Sequence, residues 1–134
     1  PPNKKGWNVG INQPERADDL LPEKLQLNNL SVATSGDVYQ FIEHDGKKYS
    51  HIINPTTGYG VTSLRNVTVI ANNGAVADWL ATACSILPIN EAKKLALSLH
   101  AELLITESVN NQLKRNNTKG FDKYWGLPLI QEKQ

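Results

Sequence analysis

The sequence predicts an α+β fold, mostly antiparallel β-sheet with two or so packed helices. Three observations predict it. Two alternating apolar–polar runs are joined by Asp45-Gly46, the best hairpin signal in the chain. A β-branched run over 66–71 passes through Asn72-Asn73-Gly74 into a helical pattern over about 75–87. Strands and helices otherwise succeed one another irregularly, unlike a repeating βαβ array.

In order along the chain, 7–11 reads as a short strand closed by Asn12-Gln13-Pro14. Residues 15–24, with Asp18-Asp19 and Pro22, read as a loop or one irregular turn. Leu25, Leu27, Leu30 and Val32 predict a strand, with Asn28-Asn29 interrupting its alternation as a turn or bulge. The hairpin runs from Val38 through Asp45-Gly46 to Ile53. Pro55, Gly58 and Gly60 make 54–60 a loop. A second helix is expected from Asn90, as N-cap, through Leu99. Leu103-Leu104-Ile105 predicts a short buried strand, and 110–119 a surface hairpin or loop. The tail carries Phe121, Tyr124, Trp125 and Leu127.

Composition narrows the function classes. The chain has 134 residues, 40% hydrophobic and 20% charged, an ordinary globular composition. That length fits one domain burying ~65–70% of its unfolded surface. Fourteen basic and 13 acidic residues are interspersed and leave a net charge of +1. This is no footprint for nucleic acid or an acidic membrane surface. Cys84 is the only cysteine, which excludes an intrachain disulfide and a multi-cysteine metal site. It falls on the apolar side of the first helix, the place of a small core residue. No apolar run approaches the ~18–20 residues of a membrane helix.

The candidate chemistry lies on the first helix. Val76, Leu80, Ala83, Cys84 and Leu87 share one side, whereas Asp78, Thr82 and Ser85 fall on the other at i, i+4 and i+7. A carboxylate stacked on a hydroxyl near a helix start offers hard oxygen ligands, suited to Mg²⁺ or Ca²⁺. The helix N-terminus favours a phosphate beside it. The same aspartate in a first turn also complements the helix dipole with no metal at all.

His51 stands just before the Pro55–Gly58 turn, whose Thr56 and Thr57 hydroxyls and backbone N–H groups suit an anionic ligand. A hydrogen-bonded structural histidine is the alternative reading. His44 and His100 have no such setting and read as surface residues. Thr34-Ser35-Gly36 joins two predicted strands, its hydroxyls facing a ligand or capping the turn. Ser35, His51 and Asp78 also compose a hydrolase triad on paper, but no nucleophile elbow accompanies them.

Together these segments resemble one family along most of the chain. Trp7-Asn8-Val9-Gly10-Ile11-Asn12-Gln13-Pro14, Thr34-Ser35-Gly36-Asp37, His51-Ile52-Ile53-Asn54-Pro55-Thr56-Thr57-Gly58 and Ala77-Asp78-Trp79-Leu80-Ala81-Thr82 occur in the order of the ApbE-type FAD:protein FMN transferases. The resemblance implies a C-terminal part of that fold. It implies Mg²⁺-dependent transfer of FMN from FAD to a Ser or Thr hydroxyl of a target protein, with release of AMP. Some members instead hydrolyse FAD to FMN and AMP, and a non-catalytic flavin- or protein-binding module is a further expectation on this scaffold.

By the same resemblance, Asp78 and Thr82 are Mg²⁺ ligands and His51 is catalytic. Thr34, Ser35, Gly36, Thr57 and Gly58 are cofactor-binding, with FAD as substrate. A periplasmic or lipid-anchored bacterial location is also implied. Asn54 stands where the family usually has aspartate, which removes one carboxylate from the loop. The family pattern continues upstream with an Asp-Leu-Gly-Gly-Ile-Ala-Lys-Gly-like motif and much of the flavin pocket, so this portion alone is expected to bind FAD weakly.

Overall fold

The computed structural model describes residues 4–14, 16–36 and 41–126. Its centre is a four-stranded antiparallel sheet in the order β10-β9-β8-β5, formed by Gln112–Asn117, Glu102–Val109, Arg65–Ala71 and Ser31–Gly36. The helices α1 (Gly74–Ile86) and α2 (Ile89–Ser98) connect β8 to β9, and α1 packs against β5 and β8. This is the α+β architecture that the alternation and helical spacing predict. Among the described residues no helix is long and apolar enough to cross a membrane.

Strand alternation divides the core between the two faces of the sheet. Val67, Val69, Leu103 and Ile105 point toward the helices and pack with Ala77, Leu80, Ala81, Cys84, Ala92 and Ala96. Ile70 and Leu104 point the other way, onto Ile11, Leu21, Leu25, Leu27 and Phe121. The alanine-rich helix face lets α1 approach the sheet closely. Cys84 is fully buried there, donates to the Ala92 carbonyl at 3.6 Å, and has its thiol pushed up to about 11 by burial. It is a core residue.

The second face is covered by small paired strands. β1 (Trp7–Val9) pairs with β4 (Leu25–Leu27), and β2 (Asn12–Gln13) pairs with β3 (Arg16–Leu20). The loop predicted over 15–24 is therefore partly strand. Arg16-Ala17-Asp18-Asp19-Leu20 has no apolar alternation for periodicity to detect. Its pairing comes from backbone hydrogen bonds behind the Pro14 turn and from the Leu21 N–H bonding to the Ile11 carbonyl at 2.7 Å. The single strand predicted from Leu25 to Val32 is two strands in different sheets. Asn29, at φ 53°, breaks the chain between them.

β6 (Phe41–His44) and β7 (Lys47–Ser50) form the predicted hairpin. Asp45 and Gly46 at φ 50° and 71° supply the two positive values that a tight two-residue turn requires. Val38 and Gln40, the expected start of its first strand, lie outside the described residues, as does Leu127 of the tail. The 110–119 segment is also a hairpin arm. Asn110 and Asn111, both at positive φ, return β9 into β10. The short buried strand expected at Leu103 to Ile105 is the core of the longer β9.

Caps explain where the helices begin. The Asn73 side chain accepts the Ala75 and Val76 N–H groups at 2.8 and 3.2 Å, starting α1 at Gly74. Asn90 is not the cap of α2. That helix begins one residue earlier at Ile89, after Pro88, whose fixed φ of −54° leads into the first turn without a side-chain cap.

At the other end of α1, Arg65 donates to the Leu87 carbonyl at 3.0 Å and pairs with Glu107 across the sheet at 2.9 Å. A cation at a helix C-terminus complements the dipole, and both side chains are mostly buried. Arg65→Ala is expected to cost ~2–3 kcal/mol, because it strands a buried carboxylate and uncaps the helix. Urea denaturation measures this; a change within error would show that the pair contributes nothing net.

Candidate functional site

His51 follows β7 directly, and its neighbours are clamped on both sides. The Ser50 N–H donates to the Val61 carbonyl at 2.9 Å, and the Val61 N–H donates to the Ile52 carbonyl at 2.9 Å. The Ile52 N–H donates to Ser50 Oγ at 2.9 Å. Ser50 and Ile52 are buried whereas His51 is exposed. The clamp needs Gly60, since a Cβ there would overlap the Ser50 carbonyl oxygen. The local fold thus holds a histidine outward on a fixed backbone.

His51 lines a cavity of about 440 Å³ with Ile42, Tyr49, Ile53, Gly58 and Tyr59. Its wall is largely apolar, and Ile42 and Tyr59 are 74% and 71% exposed. A second cavity of about 470 Å³ is lined by Asn54, Thr57, Val61 and Ser63, and shares Tyr49, Tyr59 and Gly60 with the first. Tyr49, Tyr59 and Gly60 are therefore common to two open recesses that the 54–60 loop helps to line. Tyr59 has no signal in the sequence, since an exposed tyrosine after Thr-Thr-Gly carries no motif.

The 54–60 loop differs from the expected anion cradle. The Thr56 N–H donates to Asn54 Oδ1 at 2.9 Å, the Gly58 N–H to the Asn54 carbonyl at 2.8 Å, and the Tyr59 N–H to Thr57 Oγ1 at 3.3 Å. These N–H groups hold the turn itself. What Thr57 keeps for a ligand is its hydroxyl proton, and Gly58 at φ 72° supplies the left-handed residue that the turn requires. The Asn54 amide oxygen accepts the Thr56 N–H, a bond that a carboxylate at this position would also accept.

Thr34-Ser35-Gly36 is not a turn. It is the end of β5, paired residue by residue with Thr68, Val67 and Asn66. Alternation turns Thr34 and Ser35 to opposite faces. Thr34 Oγ1 hydrogen-bonds Thr68 Oγ1 at 2.9 Å, on the side away from the helices. Ser35 shares the helix side with Ala33, which packs on the α1 core. Gly36 serves close approach rather than bending, since a Cβ there would overlap Asn66 Oδ1.

On α1, Asp78 and Thr82 are exposed one turn apart, as predicted. The exposed Thr82 hydroxyl donates a long bond, 3.4 Å, to the Asp78 carbonyl, which uses its proton and leaves its oxygen able to accept or ligate. Two expectations change. Asp78 lies beyond the first turn, which contains no acidic residue, so the dipole explains less of its placement. Ser85 is buried, donating to the Thr82 carbonyl at 2.6 Å, and leaves the ligand face.

The donor set fits a weakly held hard cation: one carboxylate and one hydroxyl, with room for water and phosphate oxygens. Among the described residues no group of three His, Cys, Asp or Glu forms a metal cluster. The cavity that His51 lines is not lined by Asp78 or Thr82. The structure brings His51 together with Gly58, and Asp78 with Thr82, as two separate features.

Comparison with known proteins follows the same residues. A model of the ApbE family matches residues 1–105. A FAD:protein FMN transferase of Treponema pallidum is 40% identical over 82 residues, which is 60% of this chain and 23% of that protein. One from Haemophilus influenzae is 29% identical over 121 residues, 89% of this chain and 35% of that protein. Among solved structures, the ApbE protein of Thermotoga maritima is similar with TM-score 0.76 and 30% identity, covering 90% of this chain and 38% of that one. The flavinyl transferase ApbE of Pseudomonas stutzeri gives TM-score 0.70 at 28% identity, over 90% of this chain and 37% of its own. The chain thus spans little more than a third, at most, of the relatives it matches.

Proposed function

The chain belongs to the ApbE family, and from that premise we propose that the whole protein transfers FMN from FAD to a Ser or Thr hydroxyl of a target protein, releasing AMP. The observation that carries the reading is the exposed Asp78–Thr82 pair, two hard oxygen ligands one turn apart on a helix packed against β5. This pair would hold Mg²⁺, which when bound supplies charge neutralisation to a diphosphate.

The reaction asks little covalent chemistry of the protein. The acceptor hydroxyl oxygen attacks the phosphorus on the FMN side of the phosphoanhydride. The new O–P bond forms, the bond to the AMP phosphate oxygen breaks, and AMP leaves with the electron pair. His51, held outward between clamped neighbours, accepts the hydroxyl proton, a role typically worth ~10²–10⁴-fold. Ser35 and the Thr57 hydroxyl are proposed to contact FAD. Gly58 shapes the loop that carries Thr57, and Thr34 and Gly36 fix the strand that carries Ser35.

The test is to incubate the whole protein with FAD, Mg²⁺ and a Ser/Thr-containing acceptor, following AMP and covalently bound flavin together. Equimolar appearance of both is expected. AMP without flavinylated acceptor would replace transfer by FAD hydrolysis, and neither product would overturn the enzyme reading.

A further inference from the structure

The 54–60 loop contributes Thr57 to one recess, Gly58 to the recess that His51 lines, and Tyr59 to both, so whatever fixes its shape fixes the geometry of the site. Resting on the transferase reading for its activity arm, we infer that Asn54 is the positioning residue of this loop. It acts through its side-chain oxygen and both its backbone groups.

The bonds converge on one residue. Asn54 Oδ1 accepts the Thr56 N–H at 2.9 Å, and the Asn54 carbonyl accepts the Gly58 N–H at 2.8 Å. The Asn54 N–H donates to the Tyr59 carbonyl at 2.9 Å. The first bond makes an Asx-turn that pre-shapes Pro55 and Thr56. The second closes the turn at Gly58, and the third returns the chain to the Ile53–Gly60 bridge. Only the first depends on the side chain. Pro55 offers no N–H of its own, so the Thr56 N–H is the earliest donor able to start the turn.

The chemistry of the acceptor predicts which substitutions matter. A carboxylate oxygen at position 54 accepts the same N–H, whereas a methyl group or a branched apolar chain does not. Asn54→Asp is therefore expected to keep the loop and Asn54→Ala to release it. Charge at this position is then secondary to acceptor geometry. Because Thr56, Thr57 and Tyr59 are exposed, releasing the loop leaves the buried core on both sheet faces untouched.

Backbone amide exchange, read by NMR on the protein without ligand, decides the loop claim. Asn54→Ala should speed exchange at Thr56 and Gly58 by ~5-fold, the value of one neutral hydrogen bond, with Asn54→Asp like wild type. The melting temperature should fall by no more than the few degrees that one such bond accounts for. Unchanged exchange at Thr56 and Gly58 in Asn54→Ala, or exchange equally fast in Asn54→Asp, overturns the inference.

The activity arm uses the whole protein with FAD. Asn54→Ala should lower kcat/KM for AMP release by ~10-fold, a consequence of misplacement, with restoration in Asn54→Asp. Full activity in Asn54→Ala despite a released loop also overturns it. Absence of activity in the wild type sinks the transferase reading instead, and the exchange data still decide the role of Asn54 in the loop.

Discussion

Asp78→Ala is expected to abolish the Mg²⁺-dependent activity of the whole protein, a loss of at least ~10²–10³-fold, while leaving the fold intact. The two halves of this expectation have separate physical grounds. The carboxylate is the only formal negative charge that the Asp78–Thr82 pair would bring to a cation, and a hydroxyl alone binds Mg²⁺ poorly. For stability, Asp78 is exposed, and among the described residues its carboxylate makes no hydrogen bond or ion pair. Alanine is also the better helix former, so the melting temperature should stay level or rise slightly. Asp78→Asn separates charge from shape: it keeps an oxygen in place and should fall nearly as far. Measured AMP release across a Mg²⁺ titration distinguishes the cases. Activity unchanged by either substitution would remove Asp78 from any metal site, whereas loss accompanied by unfolding would make it a structural residue.

What could be read from the sequence follows from how local each feature is. The hairpin at Asp45-Gly46 and the passage through Asn72-Asn73-Gly74 into a helix are decided within a few residues, and their signals survive into the structure. The exposed face of α1 is nearly as local, because helical spacing alone places Asp78 above Thr82. Ser85 fails that test because ~100° per residue leaves it at the boundary of the face, and the sheet packed against α1 buries it. Thr34-Ser35-Gly36 is ambiguous in the sequence because a glycine marks both a turn and a close contact. Only the paired strand, with Asn66 opposite Gly36, decides between them.

The loop beside His51 was legible as a loop but not as a site. Its hydrogen bonds run between residues that any Asn-Pro-x-x-Gly sequence would contain, yet they determine which N–H groups a ligand can reach. Residues 16–20 were missed for the opposite reason: their pairing is made of backbone groups, which leave no trace in side-chain pattern. Arg65 joins residues far apart in the chain, Leu87 and Glu107, and no spacing rule anticipates such a contact. Local rules thus recovered elements and faces, and long-range pairing supplied the rest.

His51→Ala should lower kcat by ~10²–10⁴-fold, with the KM for FAD little changed, if His51 takes the proton of the acceptor hydroxyl. The fold gives reason to expect this separation. Ser50 and Ile52 tie the local backbone to Val61 and to each other, so the turn and the recess should persist when the ring is removed. FAD enters the argument only as the electrophile, and a base acting on the acceptor has no ground-state contact with it to lose. A second signature follows from the chemistry: hydroxide becomes a competing base as pH rises, so the deficit of His51→Ala should shrink toward alkaline pH. His51→Gln keeps hydrogen-bonding capacity without basicity and should be as slow as alanine. A variant whose KM for FAD rises while kcat holds would make His51 a binding residue, and a Gln variant with wild-type kcat would remove the proton transfer from its role.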